Sequence, residues 1–179
     1  MNEKLIKCPG CGANFPNNES SPHRYGVASA GCWQAFNELL AHERMMWGYP
    51  DVHRLIVDAY SIQHPQNQEL QKKLGISQRF IDASIQSVAV HLIALYFALT
   101  EKKKLNEISK LMDRILSKGA IFQALIPPKQ LGKITIAYAP KGDSIEEYRD
   151  FAWKWAREAW TAWSQYHGQV EQWIDQYLD

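Results

Sequence analysis

The stretch that decides the fold spans residues 29–64 and reads SAGCWQAFNELLAHERMMWGYPDVHRLIVDAYSIQH. Its first part carries large apolar residues at the spacing of one helix face, and Ser29 is placed to cap the helix N-terminus. These apolar residues are Trp33, Phe36, Leu39, Leu40 and Met46. GYP then breaks the helix, and Pro50 suits the first turn of a second helix that runs to His64. A connection this short predicts an antiparallel helical hairpin.

Helical patterns continue on the C-terminal side of this hairpin. Ser77 can cap a long helix through Thr100, and the uniform apolarity of its SVAVHLIALYFAL run favours the centre of a bundle. LNEISKLMDRILSK predicts a further amphipathic helix that ends at Gly119. Residues 133–138 read KITIAY and follow two adjacent prolines, so we expect a short extended piece or one half of a hairpin there.

The chain returns to helix from Ser144 onward. Large aromatic residues follow roughly helical spacing in this part, which holds most of the seven tryptophans of the chain. These tryptophans are Trp153, Trp155, Trp160, Trp163 and Trp173. Side chains of this size are usually buried, so we interpret them as core packing rather than as a ligand box.

The predicted fold class is mainly α: a helical bundle with an N-terminal zinc knuckle and one short extended segment. With 179 residues, 46% of them apolar and 22% charged, the composition is that of a single globular domain over residues 1–179. Residues 1–28 are rich in Gly, Pro, Asn and Ser and form the knuckle and a loop. Residues 29–179 form the bundle.

Charge and hydropathy exclude several classes of protein. Lys and Arg number 20 against 19 Asp and Glu, so no overall field favours nucleic acid or an anionic membrane. The start, MNEKLIKCPG, lacks the apolar stretch of a signal peptide. The most apolar run, Ser87 to Leu99, is shorter than the about 20 residues that cross a bilayer. We therefore expect a cytoplasmic protein without a membrane span.

Three cysteines indicate a zinc site. Cys8 and Cys11 lie in CPGCG, a tight turn whose two-residue gap lets both sulfurs face one ion. Cys32 lies at the start of the first helix, where the helix dipole favours the thiolate. An odd cysteine count argues against a disulfide framework. Buried inert thiols and a redox-active CxxC pair are the alternatives, and the latter lacks a preceding strand.

Helix lengths point to the fourth ligand. The first helix of the hairpin rises roughly 22 Å beyond Cys32 and the second returns roughly 21 Å to His64, at 1.5 Å per residue. This brings His64 to the level of Cys32, whereas His53 stays near the turn. His23, in the loop between the thiols, is the main competitor, and water or another residue also remains open.

A second group of metal-competent side chains falls in predicted buried helices and comprises His53, Asp58, His91 and His167. These residues could form an open metal site with catalytic activity. Alternatively, each is a polar residue with its own hydrogen bonds: Asp58 beside Arg54, His91 inside the core and His167 near a helix bend. We favour the second interpretation.

Several motifs together resemble an uncharacterised bacterial family of small proteins of unknown function: CPGCG, SAGCWQAF, VDAYSIQHP, QSVAVHL and AWTAWSQYHGQVEQW. The resemblance spans almost the whole chain. It implies that the three cysteines, His64, His91 and His167 belong to a family pattern, but it implies no reaction. The family pattern often has two adjacent histidines in the tail, where this chain has Tyr166 and His167.

Two functions remain open at this level. One is a zinc-stabilised binding or adaptor module for a protein or small-molecule partner. The other is a metal-dependent enzyme, of hydrolase or thiol-transfer type, that uses the buried His/Asp group. KLIKCPGCG has two lysines and no Arg-rich or aromatic interleaving, so nucleic-acid binding is not expected. Oligomeric state is not predicted.

Overall fold

The structure is a computed structural model, and it describes residues 5–17, 27–65, 72, 75 and 77–178. Within these residues two strands and six α-helices have defined bounds. The strands are β1 (Leu5–Lys7) and β2 (Asn14–Pro16). The helices are α1 (Ala30–Trp47), α2 (His53–Gln63), α3 (Gln78–Leu99), α4 (Leu105–Ser117), α5 (Ile145–Ala162) and α6 (His167–Leu178). The mainly helical fold class is confirmed.

Local signals set both ends of α1. The Ser29 hydroxyl accepts a hydrogen bond from the Cys32 amide at 3.3 Å, which confirms Ser29 as the N-cap. Gly48 ends the helix at φ 61°, in the left-handed region, and its N–H donates to the Arg44 carbonyl at 3.1 Å. Tyr49 follows with φ 66°, which is unusual for a residue with a side chain.

Side chains of α1 and α2 meet in an antiparallel order. Cys32 lies against His64 at one end, and Phe36 stacks on Tyr60 with ring centroids 3.7 Å apart. Near the turn, His53 on α2 contacts Glu43 on α1. The helical hairpin expected from residues 29–64 is therefore present. Its register places the C-terminus of α2 beside the N-terminus of α1.

Helix α3 lies in the middle of the helices, where it packs against α2, α4, α5 and α6. Leu92, Ile93 and Leu95 are fully buried, as expected for a central helix. Helix α3 has 22 residues and extends on the N-terminal side beyond the apolar run that begins at Ser87. By length and composition alone, the whole helix could cross a membrane. Core helices of soluble proteins pass the same test, and the packing of α3 is compatible with that reading.

The aromatic tail forms part of the core. Of its five tryptophans, Trp155, Trp160, Trp163 and Trp173 are buried and Trp153 is partly exposed. The chain turns between α5 and α6 in a short 3-10 helix at Ser164–Tyr166. Trp155, Trp160, Trp163 and Trp173 thus provide core packing rather than a ligand box.

The segment between α4 and α5 differs from the sequence-based expectation. Thr135 has extended backbone angles, but no strand is found between residues 118 and 144. Ile136–Tyr138 form a 3-10 turn instead, and the Thr135 hydroxyl accepts a hydrogen bond from the Ala137 amide at 3.3 Å. Of the two alternatives expected here, the hairpin half is wrong, because this side-chain cap competes with strand pairing, whereas extended backbone is present at Thr135. The strand pair of the structure lies at the N-terminus, where Ile6 is opposite Phe15.

A buried glutamine holds the same segment against the helices. The Gln63 amide nitrogen donates to the carbonyls of Leu131 and Ile134, at 2.7 Å each. Its amide oxygen accepts from the Trp155 indole N–H, also at 2.7 Å. Gln63 is fully buried, so these three bonds are made away from water. The last residue of α2 therefore joins α5 to the loop that precedes it.

Replacing this glutamine tests its role. Gln63→Leu keeps the size of the side chain but leaves two carbonyls and one indole N–H without partners, so we expect a loss of about 2 kcal/mol of unfolding free energy. Urea unfolding measures this change in the free energy of unfolding. Gln123→Leu, at an exposed glutamine bonded to Gln169, is the control and should change stability by less than about 0.5 kcal/mol. Equal effects of the two substitutions would contradict a stabilising role for the three hydrogen bonds of Gln63.

Candidate metal centre

The N-terminal hairpin positions the first two thiols. The Cys8 amide donates to the Ala13 carbonyl at 2.7 Å, and the Gly12 amide donates to the Cys8 carbonyl at 3.0 Å. These bonds close a tight turn between β1 and β2 that contains CPGCG. Cys8 and Cys11 stand on this turn, and Cys8 is only 1% exposed. A local motif thus presents two sulfurs from one short stretch of chain.

The turn lies directly on the end of α2. A Cβ atom at Gly10 would be 2.4 Å from the Val27 carbonyl oxygen and 2.5 Å from Cδ2 of His64. The Gln63 carbonyl oxygen would be 2.9 Å away. Only glycine allows this approach without displacement of backbone atoms. The CPGCG turn therefore needs a glycine between its cysteines in order to reach the histidine.

The start of α1 supplies the third thiol. Cys32 is completely buried, and the capping bond from Ser29 holds its amide. The Ser29 amide donates in turn to Sγ of Cys8 at 3.5 Å. Sγ of Cys11 lies 3.9 Å from Sγ of Cys32. The first turn of the helix thus places the third sulfur beside the pair on the N-terminal turn.

His64 closes the group from the C-terminus of α2. Its Nδ1 lies 2.7 Å from the Tyr60 carbonyl, and because a carbonyl can only accept, Nδ1 carries the hydrogen. Nε2 is then the nitrogen with a free lone pair, and it lies 3.2 Å from Sγ of Cys32. A backbone carbonyl that orients the imidazole in this way is typical of metal-ligating histidines. Tyr60 also stacks on the ring, with centroids 4.0 Å apart.

The four ligand atoms lie close enough to bind one metal ion. The sulfurs of Cys8, Cys11 and Cys32 and the His64 nitrogen are all within 4.8 Å of one another. A tetrahedral ion with 2.3 Å metal–sulfur bonds separates its sulfurs by about 3.8 Å, and the 3.9 Å between Cys11 and Cys32 fits this edge. The types of ligand atom and the distances between them therefore fit a cation with tetrahedral coordination.

Crowding of the sulfurs shifts their pKa values in opposite directions. Hydrogen bonds from Cys11 and then Cys32 lower the pKa of Cys8 despite its burial. For Cys11 the bond from Cys32 lowers the pKa, but the bond with Cys8, burial and the Cys8 charge outweigh it and raise the pKa to about 12. Bonds to Cys11 and Cys8, then burial, raise the pKa of Cys32. A bound cation would allow all three sulfurs to be thiolates.

A tyrosine hydroxyl completes the surroundings of Cys32. Tyr60 Oη lies 3.8 Å from Sγ of Cys32. Burial, followed by the charge of Cys32, raises the pKa of Tyr60. The hydroxyl therefore stays protonated at neutral pH and can donate to the sulfur. Tyr60 was not among the candidate site residues, although the four-residue spacing to His64 places both on one face of α2.

His23, the competing fourth ligand, lies outside the described residues. His64 is buried at 3% exposure and lies in the cluster.

Two of the residues considered for a second site meet directly. His91 on α3 donates its Nδ1 hydrogen to Oδ1 of Asp58 on α2, at 2.6 Å. The Arg54 guanidinium lies 3.3 Å from the other oxygen of the same carboxylate. Asp58 is buried, and its carboxylate has a hydrogen-bond donor on α3 and a cation, Arg54, on its own helix. The expected pairing of Asp58 with Arg54 is present.

His53 and His167 are engaged elsewhere. His53 donates from Nδ1 to Oε2 of Glu43 at 2.7 Å. His167 donates from Nε2 to the Trp160 carbonyl at 3.1 Å, and its ring stacks on the Trp160 indole with centroids 3.8 Å apart. Within the described part of the chain, only the thiol–histidine group brings three or more such ligand atoms together. The four residues of the second group therefore do not converge on one point.

The sequence analysis missed Glu43, which is completely buried. Beside its bond to His53, the carboxylate raises the pKa of Tyr148, after burial as the larger cause. The AHERM stretch that contains Glu43 looks like a solvated face. However, Glu43 is seven residues after Phe36 and four after Leu39, so it lies on the buried face of α1. This spacing was the available signal.

The chain matches the model of a known family over most of its length. The family model of DUF5946, described as a family of unknown function, covers residues 6–164 and so includes the three cysteines, His64 and His91. No curated protein and no solved structure matches the chain. The chain belongs to DUF5946, a family of unknown function.

Proposed function

We propose that the protein binds one Zn²⁺ ion through Cys8, Cys11, Cys32 and His64. The observation that carries this proposal is the convergence of the four ligand atoms within 4.8 Å. Thiolate and imidazole ligands in this number are typical of structural zinc, and soft sulfur ligands disfavour Mg²⁺ or Ca²⁺. The Tyr60 carbonyl, which fixes the His64 tautomer, would act as the supporting outer contact.

The role proposed for the zinc ion is structural. Four protein ligands fill a tetrahedral shell, which leaves no position for a substrate or a reactive water. The ligands come from the N-terminal turn, the start of α1 and the end of α2, so the ion would tie together three parts of the chain. Three of the four are buried. We infer a zinc-stabilised cytoplasmic module whose helical surface binds a protein or small-molecule partner.

Metal analysis and X-ray absorption test this proposal on the purified full chain. We expect one zinc per chain, with about three sulfur neighbours at 2.3 Å and one nitrogen at about 2.0 Å. His64→Ala should replace the nitrogen neighbour by a light atom of solvent and weaken zinc binding. His42→Ala, at a partly exposed histidine near Asp143, is the control and should leave the spectrum unchanged. An open shell with two or more water neighbours would contradict a structural role.

A metal-dependent enzyme of hydrolase or thiol-transfer type is the second candidate. It is favoured by the 2.6 Å bond between His91 and Asp58, because such a bond orients the imidazole with Nε2 free as a base. His53 and His91 also line one cleft. This candidate requires a second metal ion. If the chain binds at most one equivalent of metal and Cys8→Ser abolishes that binding, the result would count against an enzyme with a second metal ion.

A further inference from the structure

A cleft lies far along α2 from the thiol group. Its volume is about 1080 Å³, and its walls come from the turn before α2, α2 itself, the end of α3, the following loop, α4 and α5. This volume is slightly above the roughly 300–1000 Å³ of pockets that hold small organic ligands. All of the lining residues belong to the described part of the chain. None of the thiol ligands is among them.

Positive charge dominates this cleft. Its basic lining residues are Arg54, Lys102, Lys103, Lys104 and Arg157. Its acidic lining residues are Asp51 and Asp58. These counts, five against two, give an excess of three positive charges in a chain whose formal net charge is only +1. The cleft therefore concentrates a positive potential that the protein as a whole does not have.

Both carboxylates of the cleft already have a cationic partner. Asp51 accepts a hydrogen bond from Nε of Arg149 at 2.9 Å, and Arg149 is not a lining residue. Asp58 is held by His91 and Arg54. Neither carboxylate is thus available to balance the remaining cations. The lysines of the cleft and Arg157 are exposed to solvent and line the cleft.

Three cations of the cleft have no acidic partner. Within the described residues, no carboxylate lies within 4.0 Å of the charged nitrogens of Lys102, Lys104 or Arg157, whereas Lys103 pairs with Glu101 at 3.6 Å. Like charges gathered without counter-charges repel one another. An anionic ligand would relieve this repulsion, and guanidinium and ammonium groups together bind phosphate and carboxylate groups well.

The backbone around the cleft is also strained. Tyr49 with φ 66° and Lys102 with φ 51° are the non-glycine residues of positive φ in the described chain, and both line this cleft. Such conformations cost energy and are concentrated at functional sites, where the surroundings hold them in place. Strain and unbalanced charge are independent properties, and here they coincide at one place.

Apolar side chains form the rest of the wall. They include Val57, Leu99, Leu105 and Trp153. Trp153 and Arg157 are four residues apart on α5, which places them on one face of the helix, and both line the cleft. A ligand with an apolar or aromatic body next to an anionic group would contact both. Inorganic phosphate alone would leave the apolar wall in contact with water.

We infer that this cleft binds a small organic anion, with a phosphate or carboxylate group at Arg157 and Lys102 and an apolar body against Val57 and Trp153. The inference depends on neither the zinc site nor a reaction. It specifies the chemical class of a small-molecule partner, which the proposed zinc role does not.

Calorimetric titration of the full chain with phenyl phosphate tests the inference. Benzoate, with a carboxylate, shows which anionic group is preferred, while phenol and inorganic phosphate each lack one half of the proposed ligand. We expect saturable binding of phenyl phosphate or benzoate, at least about tenfold tighter than phenol or inorganic phosphate. No saturable binding of either organic anion below about 10 mM, a range that corresponds to negligible affinity, would overturn it.

Charge-removing variants locate the site. Arg157→Gln and Lys102→Gly should each weaken binding of the anion by about tenfold, the loss expected for one charged hydrogen bond. Lys102→Gly also relieves the positive φ, so its melting temperature should not fall, which separates loss of binding from loss of folding. Lys154→Gln is the matched control on α5, where Lys154 pairs with Asp150 at 2.6 Å and is not a lining residue. Equal losses in Lys154→Gln and Arg157→Gln would overturn the assignment.

Discussion

Removal of zinc by a strong chelator is expected to lower the free energy of unfolding by about 5 kcal/mol or more, since structural zinc contributes on the order of 10 kcal/mol in small zinc-binding domains. For a chain of this length, that loss corresponds to a fall in melting temperature of roughly 10–20 °C. The reason is the position of the ligands. Cys8 and Cys11, Cys32 and His64 lie on three separate segments, so one bound ion would cross-link the turn between β1 and β2 to α1 and to α2.

Comparison of variants separates the metal from the packing around it. Cys32→Ser should have the low melting temperature of the chelated protein and should not respond to the chelator. Ser29→Ala removes the N-cap of α1 without touching a ligand, so it should lose about 1 kcal/mol and keep its response to the chelator. Thermal unfolding with and without chelator measures both. Complete loss of zinc with an unchanged melting temperature would exclude the structural role.

The second large effect is expected at Gly10. In Gly10→Ala the new methyl group would lie 2.4 Å from the Val27 oxygen and 2.5 Å from Cδ2 of His64. The first contact is with backbone, which cannot rotate away, so the N-terminal turn must move off the end of α2. We expect a loss of about 3 kcal/mol, at the upper end for added volume in a packed site. Zinc affinity should fall as well, because the same shift separates two sulfurs from the imidazole.

Gly142→Ala is the matched control for this substitution. A Cβ atom at Gly142 meets no atom within 4 Å, and its φ is not in the left-handed region. Its unfolding free energy should therefore stay within about 1 kcal/mol of the parent protein. If Gly10→Ala keeps the parent stability and zinc affinity, the close contact between the turn and His64 is not required.

Features that depend on neighbouring residues could be predicted well. The sequence predicts Ser29 as the cap of α1 because a serine before a helix can accept from an amide in the first turn, and the structure confirms this bond to the Cys32 amide. The juxtaposition of Cys32 and His64 followed from the constant rise of an α-helix and a short connection. Ser77 lies at the N-cap of α3 as expected, although its side chain makes no capping bond.

Features that depend on contacts between distant residues were missed or misread. KITIAY has a strand-like alternation, but no partner strand lies beside it in the described chain, so Thr135 caps a turn instead. Glu43 lies among charged residues in the sequence, which is typical of a solvated face. Its helical spacing from Phe36 and Leu39 indicates the buried face instead, but this signal is easily overlooked. Whether His167 joins His91 in one site depends on helix packing that the sequence does not give; the fold places His167 on Trp160, in agreement with the favoured interpretation that each histidine has its own hydrogen bonds.

The sequence by itself determined the helices, the hairpin of α1 and α2 and the pair of thiols in the CPGCG turn, because each rests on periodicity or on spacing within a short stretch of chain. It left the fourth metal ligand open between His64 and His23. Only the tertiary structure decided that Gly10 must lie against His64, that Gln63 joins α5 to its preceding loop, and that Arg54, Lys102 and Arg157 line one cleft. These arrangements bring together residues tens of positions apart. Their geometry follows from the packing of whole helices, which no local pattern encodes.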